Sequence, residues 1–282
     1  MAISAPPAPV DLLGGRADYL VVAHPDFLDG VQPLVDLHES EGMSVKVVDV
    51  TDVYNAYSGG TVDPEAIRAY IRDAVRTMGV RFVLLVGGDT YDYFNYLGSG
   101  SISFIPTLYA RTGDLVSFAP VDSLFGDIDG DGVQDVAVGR LPVRTDEELA
   151  NVVTKTLEYA GKRYSKTAVF AADANDPNAP VAFTTSSEAF IGKLGAGWDV
   201  TRAYVEGMGV STARARLMDA IDQGAALTDF IGHSGLTVWT FSGLFNSRDV
   251  AALTNAGRPT VVTQWGCWNT YHVEPSYDGL GP

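Results

Sequence analysis

Short runs of apolar and β-branched residues alternate with amphipathic segments along this chain, and this alternation constrains the fold more than any other feature. The runs lie at 18–23, 45–50, 82–86, 167–172, 226–231 and 260–263. Each is of strand length and ends at a Gly or a polar loop. Apolar strands separated by helices are typical of parallel sheets covered on both faces. The sequence therefore predicts an α/β fold with open, mostly parallel sheets flanked by helices.

Helix signals divide the chain into two parts. Asp63 is placed to cap a helix that runs to Met78, with Pro64 in its first turn. Thr145 and Glu148 form a capping box that opens a long helix, which we interpret as the joint between two sub-domains. The prediction is a linker or cut N-terminus at 1–17, an N-terminal α/β sub-domain at 18–165 and a second α/β sub-domain at 166–282.

Composition excludes several classes of function. The 282 residues carry a formal charge of −16 and are 46% hydrophobic, which indicates a folded globular protein. Such an acidic chain is a poor ligand for nucleic acid or an anionic membrane surface. No apolar run approaches the ~18 residues of a membrane span, and the single cysteine excludes an internal disulfide.

Both ends of the sequence suggest a piece of a longer protein. The first residues lack the basic-then-apolar pattern of a signal peptide. After Cys267 only 15 residues follow, without a closing structural element. We therefore expect an incomplete C-terminal part, with further domains in a longer precursor.

Two of the predicted strands lead into residues of types that are common in catalytic sites. The run at 226–231 leads into His233, and the run at 260–263 leads into Cys267, the only cysteine of the chain. Carboxyl ends of neighbouring parallel strands meet at the edge of the sheet where sites form in α/β proteins. A base and a thiol are thus expected together there. The alternative is that Cys267 is an inert core residue, which is the commoner fate of a lone cysteine.

The sequence around these two residues resembles the gingipain-like family of cysteine peptidases, which has a caspase-like fold. The resemblance rests on Gly232-His233-Ser234-Gly235 and Gln264-Trp265-Gly266-Cys267-Trp268-Asn269 in this order, and extends back to about Asp18. It implies that His233 is the general base and Cys267 the nucleophile. It also implies an oxyanion hole formed by the backbone amides of Ser234 and Cys267, although Ser234 stands where the family has Gly.

The resemblance is weaker for substrate specificity. In the gingipains proper, an acidic residue near the start of the helix after the 167–172 strand recognises a basic side chain, and positions 181–186 here contain no acid. Selectivity for Arg or Lys is therefore not expected. Trp239 and Trp268 are candidate walls of the substrate cleft, with core packing as the alternative for at least one of them. No third catalytic residue is evident in the sequence.

An acidic, glycine-rich segment resembles the front of a calcium loop. Its carboxylates occupy loop positions 1, 3, 5 and 9, with Gly132 at position 6. These residues are Asp127, Asp129, Asp131 and Asp135. The twelfth position is Val138 instead of Glu, so further ligands would come from elsewhere, such as Asp122 or Asp114. The family resemblance implies structural calcium; the alternative is an acidic hairpin turn without metal.

These observations predict a cysteine endopeptidase that hydrolyses polypeptide substrates through a thioester on Cys267. A secreted or cell-surface bacterial protein is expected from the resemblance. Two alternatives remain open: a non-catalytic, calcium-stabilised module, and a domain that processes only its own precursor.

Overall fold

The computed structural model describes residues 10–113 and 116–276, and the chain divides into two compact units, Met1–Ala150 and Asn151–Pro282. The boundary lies inside the long helix that opens after Thr145, whereas the sequence predicted it at 165. Each unit contains one four-stranded sheet.

The first unit has a sheet of order β2-β1-β3-β6, and all three pairings are parallel. Two short strands, β4 and β5, form a separate antiparallel pair. The elements, in chain order, are β1 (Tyr19–Ala23), α1 (Gln32–Ser40), β2 (Val45–Asp49), α2 (Val50–Tyr57), α3 (Pro64–Met78), β3 (Phe82–Val86), β4 (Tyr109–Ala110), β5 (Ala119–Pro120), β6 (Ala137–Leu141) and α4 (Asp146–Gly161), with 3₁₀ turns at Pro25–Phe27, Asp29–Val31 and Asp122–Phe125.

Part of the predicted N-terminal linker packs against this unit. Leu12 and Ala17 are buried in its core, and the Tyr70 hydroxyl donates to the carbonyl oxygen of Leu12 at 3.0 Å. Residues 10–17 are therefore structured, while the rest of that predicted linker, 1–9, lies outside the described residues.

The predicted helix signals of the first unit are confirmed. The Asp63 side chain accepts from the Glu65 amide at 2.9 Å, and Pro64 occupies the first turn of α3. The helix ends at Gly79, which has a left-handed φ of 80°. The Thr145 hydroxyl accepts from the Glu148 amide, and a Glu148 carboxylate oxygen accepts from the Thr145 amide, both at 3.2 Å. Both helix starts thus have side-chain acceptors for their first free amides.

The second unit has a sheet of order β13-β9-β7-β8, again with only parallel pairings. Three short strands, β10, β11 and β12, form an antiparallel sheet. The elements are β7 (Thr167–Ala172), α5 (Phe183–Ile191), β8 (Asp199–Tyr204), α6 (Val205–Met208, a short irregular turn), α7 (Val210–Asp222), β9 (Leu227–Ile231), β10 (Ser234–Gly235), β11 (Val238–Trp239), β12 (Phe245–Asn246), α8 (Ser247–Val250) and β13 (Val261–Trp265).

The core of the second unit joins its sheet to α7. Val169 and Phe230 from the strands pack with Ala213, Leu217 and Ile221 of the helix. The apolar, helically spaced face of α7 is what makes this packing possible. The predicted α/β class, with open parallel sheets flanked by helices, is confirmed. Across residues 10–113 and 116–276, none of the helices has the length and apolar character that a bilayer span requires.

The left-handed end of α3 gives a test of the fold. A Cβ added at Gly79 meets nothing within 4 Å, so the cost of Gly79→Ala comes from the backbone alone. We expect a loss of about 1–2 kcal/mol in the free energy of unfolding, measured by urea denaturation. Gly161, the last residue of α4, has equally open surroundings and no left-handed φ, and Gly161→Ala should instead stabilise, by less than the ~1 kcal/mol of a helix interior. If both substitutions changed the free energy of unfolding in the same direction, this account would be contradicted.

Candidate active site

The ends of β9 and β13 bring the predicted histidine and cysteine to one edge of the sheet. The two strands pair in parallel with Trp265 opposite Ile231. The Gly232 amide extends the ladder by donating to the Trp265 carbonyl at 3.2 Å. His233 and Cys267 each follow two residues after this pair. Both residues therefore follow neighbouring strands at the same level of the sheet, where paired strands lie about 4.8 Å apart.

Gly266 lies in a crowded position between these two segments. A Cβ at this residue would come within 2.3 Å of Ser234 Oγ and 2.8 Å of Asn269 Nδ2, so only Gly fits. Ser234 and Asn269 are both buried, and their side-chain polar atoms have no hydrogen-bond partner among the described residues. Cys267 itself is exposed, which argues against the alternative of an inert core cysteine.

The structure adds a carboxylate that the sequence did not identify as part of the site. Asp176 Oδ2 lies 3.0 Å from His233 Nε2. Hydrogen bonds from the Asn178 amide and from His233 hold the pKa of Asp176 below its ordinary value, so this carboxylate is ionised at neutral pH and can only accept. The proton of the bond therefore belongs to Nε2, and Nδ1 is the imidazole nitrogen that can take up another proton.

Two phenylalanine rings lie against the His233 imidazole. Phe183, the first residue of α5, meets it edge-on with ring centroids 5.2 Å apart. Phe241 stacks on it at 5.6 Å, with an angle of 13° between the planes. The ring of Phe241 is largely in solvent, because this residue is 78% exposed.

The two predicted cleft tryptophans have different surroundings. Trp239 is buried, stacks on Phe230 with centroids 4.6 Å apart, and donates from Nε1 to Gln264 Oε1 at 2.7 Å. Its burial fits the alternative of core packing that was considered for at least one of the two tryptophans. Trp268 is exposed and contacts only the ring of Tyr271 among the described aromatic residues, so it remains a candidate wall.

A buried carboxylate ties the cysteine strand to the histidine strand. Asp229 Oδ2, on β9, accepts from Thr263 Oγ1 at 2.6 Å and from Trp265 Nε1 at 3.1 Å, both on β13. Its Oδ1 has no hydrogen-bond partner in the described part of the chain. Burial raises the pKa of Asp229, and the two hydrogen bonds oppose that shift.

The acidic loop of the first unit brings three of its four predicted ligands together. One carboxylate oxygen from each of Asp127, Asp129 and Asp135 lies within 4.8 Å of the other two. Asp131 is outside this group, and its Oδ1 accepts from the Val133 amide instead. Arg68 donates to Asp127 Oδ2 at 3.3 Å and partly offsets the negative charge.

Of the two extra ligands considered for this loop, Asp122 has another partner. Asp122 pairs with Arg140, whose Nε donates at 2.7 Å and whose Nη2 donates at 2.9 Å. Asp114 lies outside the described residues.

Comparison with known proteins assigns the class and then the family. The fold is the caspase-like fold of the gingipains, which are cysteine peptidases. The chain belongs to peptidase family C25, whose family model matches residues 13–281. A search of curated proteins finds no match.

Two solved structures illustrate the similarity of fold. The Arg-specific cysteine proteinase gingipain R (RgpB) matches with a TM-score of 0.70 at 20% identity, over 93% of this chain and 56% of that chain. A complex of Porphyromonas gingivalis RgpB pro- and mature domains matches with a TM-score of 0.69 at 20% identity, over 89% of this chain and 56% of that one. The present chain thus spans just over half the length of these structures.

The raised pKa of Asp229 predicts a distinctive dependence of stability on pH. The folded protein binds a proton here at a pH where the unfolded chain, with a pKa of about 3.9, does not. The contribution is fully present below the unfolded pKa and is lost as pH rises through the folded one. Relative to Asp229→Asn, the wild type should therefore gain stability as pH falls from neutral, as measured by urea denaturation.

Asp18 provides a control of opposite sign. Hydrogen bonds from the Ser44 side chain and backbone lower its pKa to about 2. Its contribution is present above the ordinary value of 3.8 and is lost as pH falls toward about 2. The wild type should thus lose stability relative to Asp18→Asn over that range. If the stability difference between wild type and variant changed in the same direction with pH for Asp229→Asn and Asp18→Asn, the two pKa shifts would be contradicted.

Proposed function

We propose that this protein is a cysteine endopeptidase in which Cys267 is the nucleophile and His233 the general base. The observation that carries the proposal is the equal level of these two residues at the ends of β9 and β13, with Cys267 exposed. Membership of peptidase family C25 supports the class of reaction. The substrate is a polypeptide, and the bond broken is a peptide bond.

The chemistry follows from the groups at this edge. His233 accepts the thiol proton, and the resulting thiolate attacks the peptide carbonyl carbon to form a C–S bond. The imidazolium then protonates the leaving amine as the C–N bond breaks, which leaves a thioester. Water, deprotonated by the neutral imidazole, hydrolyses the thioester and regenerates the thiol. The backbone amides of Ser234 and Cys267 are the proposed donors to the oxyanion in both steps.

Asp176 acts in this scheme as a positioning residue. By accepting from Nε2 it fixes the tautomer in which Nδ1 serves as the base, and it stabilises positive charge on the ring. Trp268 is proposed as one wall of the substrate cleft because its ring is exposed one residue after the nucleophile.

The dyad is tested by alkylation of the full-length protein with iodoacetamide across pH. An ordinary thiol with a pKa of about 8.5 is almost entirely protonated near pH 6. If His233 stabilises the thiolate, the wild type should still react there at least about 10-fold faster than His233→Ala.

His38→Ala serves as the control for this experiment, because His38 lies in the first unit against Tyr19. It should leave the alkylation profile unchanged, and circular dichroism must show that each variant is folded. Identical profiles for wild type and His233→Ala would refute the dyad and favour the non-catalytic module. Cleavage of the precursor without cleavage of added peptides would favour the self-processing domain.

We also propose that Asp127, Asp129 and Asp135 bind a structural Ca²⁺. Converging carboxylates on a glycine-containing turn offer the hard oxygen ligands that Ca²⁺ prefers, and a cation would relieve their mutual repulsion. Asp127 is buried, which gives the site one rigid ligand. The role is stability, because the loop belongs to the first unit and the proposed dyad to the second.

Thermal unfolding with and without calcium tests this proposal. At a calcium concentration about 100 times Kd, binding should add about 2.7 kcal/mol to the free energy of unfolding and raise Tm accordingly. Asp129→Asn should remove most of the gain, whereas Asp131→Asn, whose carboxylate lies outside the converging group, should keep more of it. A melting curve that is unchanged by calcium or by chelator would identify the loop as an acidic turn.

The remaining expectations concern the whole protein. Secretion or display at the bacterial cell surface, and further domains in a longer precursor, remain proposals that rest on the family. Fractionation of the producing cells followed by mass determination of the mature protein would test both together.

A further inference from the structure

The residues that surround His233 indicate which substrate side chains the proposed site would accept. We propose that Phe183 and Phe241 form the walls that receive an uncharged, apolar side chain of the substrate beside the imidazole. This inference rests on the proposed peptidase function and adds a substrate class to it.

The first wall is held in place by a local hydrogen-bond network. Phe183 begins α5, whose N-cap, Ala182, offers no side-chain acceptor. Asn175 Oδ1 replaces the missing cap by accepting from the Thr184 amide and hydroxyl, each at 3.2 Å. Asn175 directly precedes Asp176, the partner of His233, so the same loop fixes the start of α5 and the imidazole. The position of Phe183 relative to the imidazole is therefore determined by the fold.

The second wall is presented by strained backbone. Thr240 has a φ of 60°, a left-handed backbone conformation that is rare and strained for a β-branched residue. The strain is held by its amide, which donates to the His233 carbonyl at 2.8 Å, and by its hydroxyl, which accepts from the Leu244 amide at 3.1 Å. The next residue, Phe241, is thereby placed on the imidazole although most of its ring faces water. An exposed aromatic ring that is held in place by strained backbone is typical of a ligand-binding surface.

The acidic residues nearby are committed to other partners, so a basic side chain finds little compensation here. Asp176 pairs with His233, and Asp173 is buried, with its carboxylate accepting from the Ala174 amide at 2.8 Å. Glu188, on α5, receives both Arg202 Nε at 2.6 Å and Nη2 at 2.8 Å. Glu206 accepts from the Asn175 amide at 3.0 Å and is the exposed exception. Aromatic walls without a dedicated counter-charge favour apolar over cationic side chains.

The experiment uses peptidyl acyloxymethyl ketones on the full-length protein, with Phe, Leu, Lys or Arg next to the reactive group. The thiolate displaces the carboxylate leaving group and forms a thioether, so each rate of inactivation reports one binding event without turnover. We expect the Phe and Leu reagents to react at least about 10-fold faster than the Lys and Arg reagents. Phe183→Ala should reduce this ratio toward one, and Phe183→Asp should raise the rate with the Lys reagent.

Phe190→Ala is the matched control, because Phe190 lies two turns further along α5 and contacts Trp265 instead of His233. It should keep the wild-type ratio. Phe183→Leu, which retains an apolar side chain, should keep most of it even if the alanine variant folds poorly.

Iodoacetamide, which has no side chain to recognise, separates the two proposals. If its rate depends on His233 but the Lys and Arg reagents react fastest, the peptidase stands and this inference is overturned; Glu206→Gln would then test the exposed carboxylate. Equal rates, or no reaction with any peptidyl reagent, would overturn it as well. If iodoacetamide reacts independently of His233, the proposed function itself fails.

Discussion

The parallel pairing of β9 with β13 is the constraint on which the candidate site depends. Side chains alternate between the two faces of a sheet, so a slip of one residue would turn Cys267 away from the level of His233. Two interactions oppose such a slip. Asp229 on β9 accepts from two residues of β13, and the crowding of Ser234 Oγ against Gly266 admits no side chain there. Packing around Cys267 thus specifies the register on which the proposed site depends.

The sequence predicted most of the sheet framework because buried parallel strands are apolar on both faces. The strands that became β1, β3 and β7 were predicted almost to the residue. Several elements were missed, and two of them show why. β8 (Asp199–Tyr204) lies at the end of its sheet, and its Asp, Thr and Arg side chains give no apolar run. α2 (Val50–Tyr57) follows β2 without a loop, with Asp49 as its cap, so its first residue was assigned to the strand.

From the sequence, only those site residues could be predicted whose type alone suggests a catalytic role. His233 and Cys267 stand at strand ends, and one is the sole cysteine of the chain. Asp176 could not be identified in the same way, since its role depends on β7 lying beside β9, which the sequence does not state. The ring of Phe241 reaches His233 only because Thr240 adopts a left-handed backbone, a conformation that no propensity favours for threonine. The sequence thus failed to predict Asp176 because it does not state which strands are neighbours, and Phe241 because it does not reveal strained backbone.

The acidity of the chain bears directly on how such a site could work. A thiolate is disfavoured by nearby negative charge, yet the chain carries a formal charge of −16, and Asp176 and Asp173 both contact His233. The arrangement around the ring resolves this conflict. Asp176 contacts Nε2, so its charge acts through the imidazole and leaves Nδ1 for the thiol proton in the proposed reaction. Glu188 is neutralised by Arg202, and Asp173 is bound to backbone amides. The proposed reaction needs an imidazolium and a thiolate at the edge of an acidic protein, and the pairing of Asp176 with the imidazole is the interaction that supports this distribution of charge.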